Sequence, residues 1–193
     1  MGGAPLAPIF YYDLVSPDAY LALERLVEVL GVVPELRPVS WSRLGFAPAP
    51  LTRDPVLMAS VERRAQERGL QPIRWPAHWP GDTDLALRVA TYAAGIGKLA
   101  AYSLAAFRQA FAGGRELAEP DTVLLAAAAC EMHPRAVLAA VERRSVRARL
   151  ELATREAAAA GVRALPALTI SGRAFEGDER LEDAAAALAA AAR

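Results

Sequence analysis

Phe10-Tyr11-Tyr12-Asp13-Leu14-Val15-Ser16-Pro17-Asp18-Ala19-Tyr20 opens as a strand-like apolar run and breaks at Ser16-Pro17 into a strongly helical segment. Ser16 is placed to cap that helix and Pro17 fits its first turn, where a missing N–H costs nothing. The serine hydroxyl then sits at the electropositive end of the helix, a position that favours an anion or a thiolate. Working outward, Ile9 to Leu14 reads as a strand buried on both faces. Tyr20, Leu23, Leu26, Val27 and Leu30 share one helical face, and Gly31 ends the helix. A second strand from Glu35 to Trp41 completes a β-α-β unit.

Residues Ser42 to Pro50 are rich in proline and alanine, and helical periodicity follows with no credible strand up to Ala160. Asp54-Pro55 starts a helix that Gly69 ends, and Asp82-Thr83 starts another that stops near Gly95 or Gly97. Further helices are expected over Leu99 to Ala112, Pro120 to Met132, Pro134 to Arg144 and Val146 to Ala160. After Gly161 the period returns to strands: Leu165 to Ile170, a Ser171-Gly172 turn and a short strand through Phe175. An alanine-rich helix from Glu179 to Ala192 closes the chain.

Gly161-Val162-Arg163-Ala164-Leu165-Pro166-Ala167-Leu168-Thr169-Ile170 holds a proline in an apolar strand pattern. Such a proline removes a ladder donor, so Pro166 points to an edge, a bulge or a cis peptide. Together with the Ser16-Pro17 junction, this segment resembles the thioredoxin-like superfamily of DsbA oxidoreductases, kappa-class glutathione transferases and 2-hydroxychromene-2-carboxylate isomerases. Phe175-Glu176-Gly177-Asp178-Glu179-Arg180-Leu181 is similar to the isomerase branch's aromatic-x-Gly-x-Asp-Arg-Leu signature, with Glu179 where that pattern has Asp. The resemblance implies an α/β, thioredoxin-like fold carrying an inserted all-helical domain. Residues 1–45 and 161–193 would form the thioredoxin-like domain and residues 46–160 the insertion.

The resemblance also implies roles. Ser16 would hold the thiolate of glutathione or another low-molecular-weight thiol, through its hydroxyl and the positive helix end. Leu165, next to a cis Pro166, would pair with the thiol's backbone as an added strand does. Glu179 or Asp178 would meet its amino group; the longer Glu179 moves the carboxylate by about 1.5 Å. Arg53 falls near a lysine that meets glutathione in some relatives, although a solvated arginine is the plainer reading, and the asparagine-proline pattern found upstream of it there is missing here. The function so implied is a thiol-dependent isomerase or transferase acting on a small aromatic electrophile. A non-catalytic thioredoxin-like binding protein is the alternative. A DsbA-like oxidoreductase is the weakest of the three.

Composition narrows the setting. The chain of 193 residues carries 22 basic and 22 acidic side chains, so nothing calls for nucleic acid or an anionic membrane as partner. Met1-Gly2-Gly3-Ala4-Pro5 lacks a basic, apolar leader pattern, which makes the cytoplasm the default expectation, with a small-molecule substrate and room for a homodimer. His78, in the aromatic loop Arg74-Trp75-Pro76-Ala77-His78-Trp79-Pro80, and His133 show no metal-ligand spacing with Cys130. The only cysteine, Cys130, reads as a small buried hydrophobe within an alanine-rich helix. A Cys-x-x-Cys centre is thereby excluded. Insulin reduction is accordingly expected at background level in the wild type and in Cys130→Ala alike; turnover that vanished in the variant would show Cys130 to be a redox group.

Overall fold

The structure, a computed structural model, describes residues 7–44 and 51–191. Strands β1 (Ile9–Tyr12), β2 (Glu35–Pro38), β3 (Ala167–Ile170) and β4 (Arg173–Glu176) form one sheet in the order β2-β1-β3-β4. β1 and β2 run parallel, while β1 with β3 and β3 with β4 are antiparallel. Helix α1 (Pro17–Leu30) joins β1 to β2. Between β2 and β3 lie α2 (Pro55–Glu67), α3 (Asp84–Ala94), α4 (Leu99–Phe107), α5 (Pro120–Ala128), α6 (Pro134–Val141) and α7 (Arg144–Ala159), and α8 (Leu181–Ala191) follows β4. This is the thioredoxin-like arrangement with a helical insertion. Among the described residues no helix is long and apolar enough to cross a membrane.

Alternation along β1 divides the core. Phe10 and Tyr12 join Leu168, Ile170 and Phe175 in packing with α1 and α8, whereas Tyr11 packs with Val39, Ala167 and the α7 residue Ala157 on the other side. α7, which the sequence reading counts with the insertion, therefore covers the second face of the sheet. Thr154 Oγ1 accepts from the Ser40 N–H at 3.0 Å and Glu156 pairs with Arg37 at 2.7 Å, fixing α7 to the end of β2 and to β2 itself. The rest of the insertion has no core of its own. The rings of Tyr12, Phe107, Tyr20 and Phe111 contact one another in succession, and the Tyr12 hydroxyl meets Ser103 Oγ at 2.5 Å, so sheet and insertion share one apolar interior.

Several element ends differ from the sequence expectation. β1 stops at Tyr12 and β2 at Pro38, because the chain past each is drawn into the Asp13 contacts described below; Trp41–Arg43 is a 3-10 turn. β3 begins at Ala167, since neither Leu165 nor Pro166 enters the ladder. The helix expected to reach Ala112 changes to a wider π turn at Arg108–Ala112. α5 ends at Ala128 because Glu131 turns left-handed at φ 58, which leaves Cys130 in the following turn and not within the helix. α6 and α7 divide near Arg143, and a 3-10 turn at Asp178–Arg180 precedes α8. The expected domain boundary at 45/46, the leader reading of residues 1–5 and the last helical residue, Ala192, lie outside the described residues.

The end of β1 is pinned by Asp13, a buried acid the sequence reading passed over. Its Oδ1 accepts from the Val15 N–H at 3.0 Å and the Thr83 hydroxyl at 2.7 Å, and its Oδ2 from the Trp41 N–H at 2.7 Å. Thr83 precedes α3, so one carboxylate joins β1, the exit of β2 and the insertion. Burial pushes the Asp13 carboxyl above its ordinary value, although the three donors pull it down. The folded chain thus holds this proton more tightly than the unfolded chain. Its contribution to stability is present at low pH and declines as pH rises from the unfolded value of about 4 through the folded one. Asp13→Ala strands two backbone donors and a hydroxyl. At about 1–3 kcal/mol for each stranded group, some of it relieved by water, a loss of about 3 kcal/mol is expected in urea unfolding at pH 7, with the Asp13 part of the pH slope absent.

Candidate active site

The pairing of the strands brings the C-terminal ends of β1, β2 and β4 and the N-terminal end of β3 to one edge of the sheet. The register Tyr11 to Ala167 carries Pro166 to the position opposite Tyr12, shortly before Ser16. Ser16 is the N-cap of α1, in extended conformation at φ −87 and ψ 116, and its Oγ accepts from the Ala19 N–H at 3.2 Å. Capping uses the oxygen and leaves the hydroxyl hydrogen free: among the described residues Ser16 Oγ donates to nothing. Ser16 is also only 1% exposed, so its donor is shielded from solvent.

Facing this junction, the Leu165–Pro166 peptide is cis. Its surroundings are fixed from β4. The Gly177 N–H donates to the Pro166 carbonyl at 2.8 Å, and Glu176 Oε1 accepts from the Ala164 N–H at 3.1 Å and from the Arg163 N–H. Gly177 sits at φ 94, a backbone region open to glycine alone, and a Cβ there would lie 2.8 Å from Glu179 Oε1. Between these anchors Leu165 remains bare: no hydrogen bond reaches its N–H or C=O among the described residues. Glu176 was not legible as a loop anchor, because its partners depend on the hairpin closing.

Asp178 and Glu179, interchangeable in the sequence reading, separate here. Asp178 is 0% exposed, and its carboxylate accepts from Arg64 Nη1 at 3.0 Å, from Arg68 at 3.0 and 2.7 Å, and from Arg25 Nε at 3.4 Å. Arg25 also bonds the Asp178 carbonyl and pairs with Glu182. Asp178 therefore locks α1, α2 and the turn before α8 together and has no oxygen to offer a ligand. Glu179 is exposed and has no hydrogen-bond or ion-pair partner among the described residues. The arginine set was missed in the sequence, although Arg64 on α2 and Arg68 at its C-cap stand about one helical turn apart, the spacing that lets two side chains reach one target.

Arg53 stands apart from Ser16 in its contacts. Its guanidinium donates to the carbonyls of Pro76 and Ala77 at 2.9 and 3.1 Å, which makes it an anchor of the aromatic loop, while the residue remains exposed, as the plainer reading expects. That loop contains a second cis bond, Trp79–Pro80. The indole N–H of Trp79 donates to the Val15 carbonyl at 2.8 Å, so the loop does reach the residue before Ser16, while Trp75 and Trp79 pack 4.7 Å apart. His78 is exposed, with its N–H on Glu116 Oε1 at 2.8 Å. Burial raises the Cys130 thiol above its ordinary value, and the Lys98 charge draws it partly back. Among the described residues no group of His, Cys, Asp and Glu is arranged to hold a metal.

Beside the junction lies an open cavity of about 350 Å³, lined by Asp13, Val15, Trp41, Thr83, Pro80 and Leu87 among others. It has the size of a small-molecule pocket and a mixed apolar and polar wall. The arrangement thus sets a capped helix end, a bare strand-like backbone and a pocket at one edge of the sheet.

Comparison with known proteins agrees on the fold. Solved structures of similar shape include a 2-hydroxychromene-2-carboxylate isomerase, with TM-score 0.85, 21% identity and 96% of each chain covered. A probable DsbA oxidoreductase from Streptomyces coelicolor superposes with TM-score 0.77 at 19% identity, over 95% of this chain and 88% of that one. The cytosolic disulfide reductase DsbM from Pseudomonas aeruginosa gives TM-score 0.63 at 20% identity, over 96% and 98%. No curated protein matches the sequence. The family model for the DsbA-like thioredoxin domain matches residues 9–189, almost the whole described chain, and the chain belongs to that family.

Proposed function

We propose that the chain is a glutathione- or other thiol-dependent isomerase or transferase that acts on a small aromatic electrophile. The observation that carries this reading is the Ser16 hydroxyl: it caps a 14-residue helix, keeps its hydrogen undonated, and lies at the sheet edge where the main chain of Leu165 is bare. The residues fit such a ligand. When bound, the thiol supplies a nucleophilic sulfur that adds reversibly to a conjugated electrophile, so that a bond locked in the substrate turns before the sulfur leaves again.

The protein's own part is to hold and to orient. Ser16 Oγ donates to the sulfur and, with the positive end of α1, favours its charged form. Leu165 pairs with the thiol's extended backbone, and Glu179, free and exposed, meets its ammonium group. The cavity beside Asp13 and Trp41 receives the electrophile. Ser16 is replaced by no cysteine here and Ala19 holds the position of a resolving cysteine, so disulfide exchange has no internal pair to use.

The burial of Ser16 favours a second reading, a thioredoxin-like binding module without chemistry. For a sulfur to reach Oγ, the groups above it must part, and a chain that never opens there binds ligands only along Leu165 and the cavity.

Ultraviolet titration of bound glutathione separates the two. The wild type is expected to lower the thiol pKa. Ser16→Ala, which removes one donor to a charged acceptor, is expected to lose about 1.5–3 kcal/mol of that stabilisation, roughly ten- to more than a hundredfold in thiolate population. Ser16→Ala remains folded, having lost a helix cap worth about 1 kcal/mol. An unshifted thiol in the wild type, or an equal shift in Ser16→Ala, removes Ser16 from the mechanism and leaves the binding module.

A further inference from the structure

Two residues past the cap, in the first turn of α1, stands the acid Asp18. A carboxylate suits the start of a helix, but it also cancels part of the positive field at the group that caps it. Asp18 is not left to act alone. Arg64 Nη2 donates to Asp18 Oδ1 at 2.6 Å, while Arg64 Nη1 reaches Asp178 Oδ2 at 3.0 Å. The side chains of Arg64 and Asp18 are 18% and 29% exposed, so solvent screens this pair less than a surface pair. Asp178 already has Arg25 and Arg68, so the Arg64 charge is the one that answers Asp18.

We infer that Arg64 is a positioning residue of the Ser16 site: by pairing with Asp18 it offsets the acid that stands in the first turn of α1, so that less of the helix-end field is cancelled at position 16, and it sets how firmly a thiolate is held there. The meaning of this inference rests on the function proposed above, but the field at position 16 belongs to the chain whether or not a thiol binds. The charged groups around the helix start are Asp18 on α1, Arg64 and Arg68 on α2, Asp178 and Glu179 in the turn before α8, and Asp13 at the end of β1, with Arg25 and Glu182 behind them. Burial pushes the Asp18 carboxyl above its ordinary value; Arg64 pulls it back, and Asp178 and Glu179 add to the rise. Without Arg64 one positive charge leaves a helix start where the acids already outnumber the arginines, Asp18 loses its partner, and a like charge disfavours a thiolate.

The test places a thiol at the cap itself. In a Cys130→Ala background, Ser16→Cys gives one titrating thiol, read by thiolate ultraviolet absorbance against pH. Adding Arg64→Gln is expected to raise its pKa by about one unit, a tenfold loss of thiolate at fixed pH, and adding Asp18→Asn to lower it by a similar amount. Arg64→Lys, which keeps the charge, is expected to stay near the parent, as is the combination of Arg64→Gln with Asp18→Asn. A merely structural Arg64 would lower stability and leave the pKa in place. An unmoved pKa in Arg64→Gln, or an unmoved or higher one in Asp18→Asn, overturns the inference. If Arg64→Gln fails to fold because Asp178 has lost a partner, Asp18→Asn decides alone. Glutathione that fails to bind the wild type refutes the proposed function without touching this result, whereas a lowered glutathione pKa beside an indifferent Arg64 keeps the function and removes the residue.

Discussion

The Asp13 carboxylate takes hydrogen bonds from three places far apart in sequence: the turn at Val15, the exit of β2 at Trp41 and the start of α3 at Thr83. A sheet edge made of four strand ends has many backbone groups that no ladder satisfies, and each costs free energy if buried alone. Asp13 answers two such N–H groups at once. In doing so it fixes where β1 stops, how the chain turns toward Ser16, and where the insertion rejoins the sheet. Thr83 gives its hydroxyl to this contact and makes no side-chain cap for its own helix, which shows the local preference yielding to the tertiary one.

The two acids after Gly177 illustrate how one residue of sequence separates a buried ion pair from an exposed charge. Asp178 is sealed under guanidinium groups from two helices, where removing any partner would leave charge unpaired in a low-dielectric interior. Glu179 points outward and curls over the glycine that has no side chain to stop it. The network around Asp178 holds three arginines and the acids Asp18, Asp178 and Glu182, which balance; Glu179 is the charge left over.

Those features whose cause is local were legible in the sequence. Ser16, Pro17 and Gly31 mark the ends of α1 by capping chemistry that acts within a few residues, and alternation after Gly161 marks the hairpin. Pro166 carried its signal because a proline conflicts with a strand wherever the rest of the chain goes. The features that were missed depend on distant partners. Asp13 looks like one polar residue in an apolar run until Trp41 and Thr83 arrive, and exposed Arg53 shows no partner until the Pro76 and Ala77 carbonyls turn toward it. α7 was counted with the insertion because its periodicity matches that of its neighbours; only the placement of Ala157 against Tyr11 and Ala167 tells it apart.

The aromatic loop gives the molecule a built-in optical probe. The indole of Trp79 is bonded to the carbonyl of Val15, the residue that precedes Ser16, and Trp41 supplies its main-chain N–H to Asp13 on the other side of the same turn. Two of the three tryptophans therefore stand at the junction, and the third, Trp75, is set against Trp79 at an angle of 56°. Indoles so close couple their electronic transitions, so the near- and far-ultraviolet spectra of this chain carry a contribution from loop geometry alongside that of its helices. A rearrangement that shifts Val15 disturbs the Trp79 contact, and emission and dichroism record it without a label or an added fluorophore.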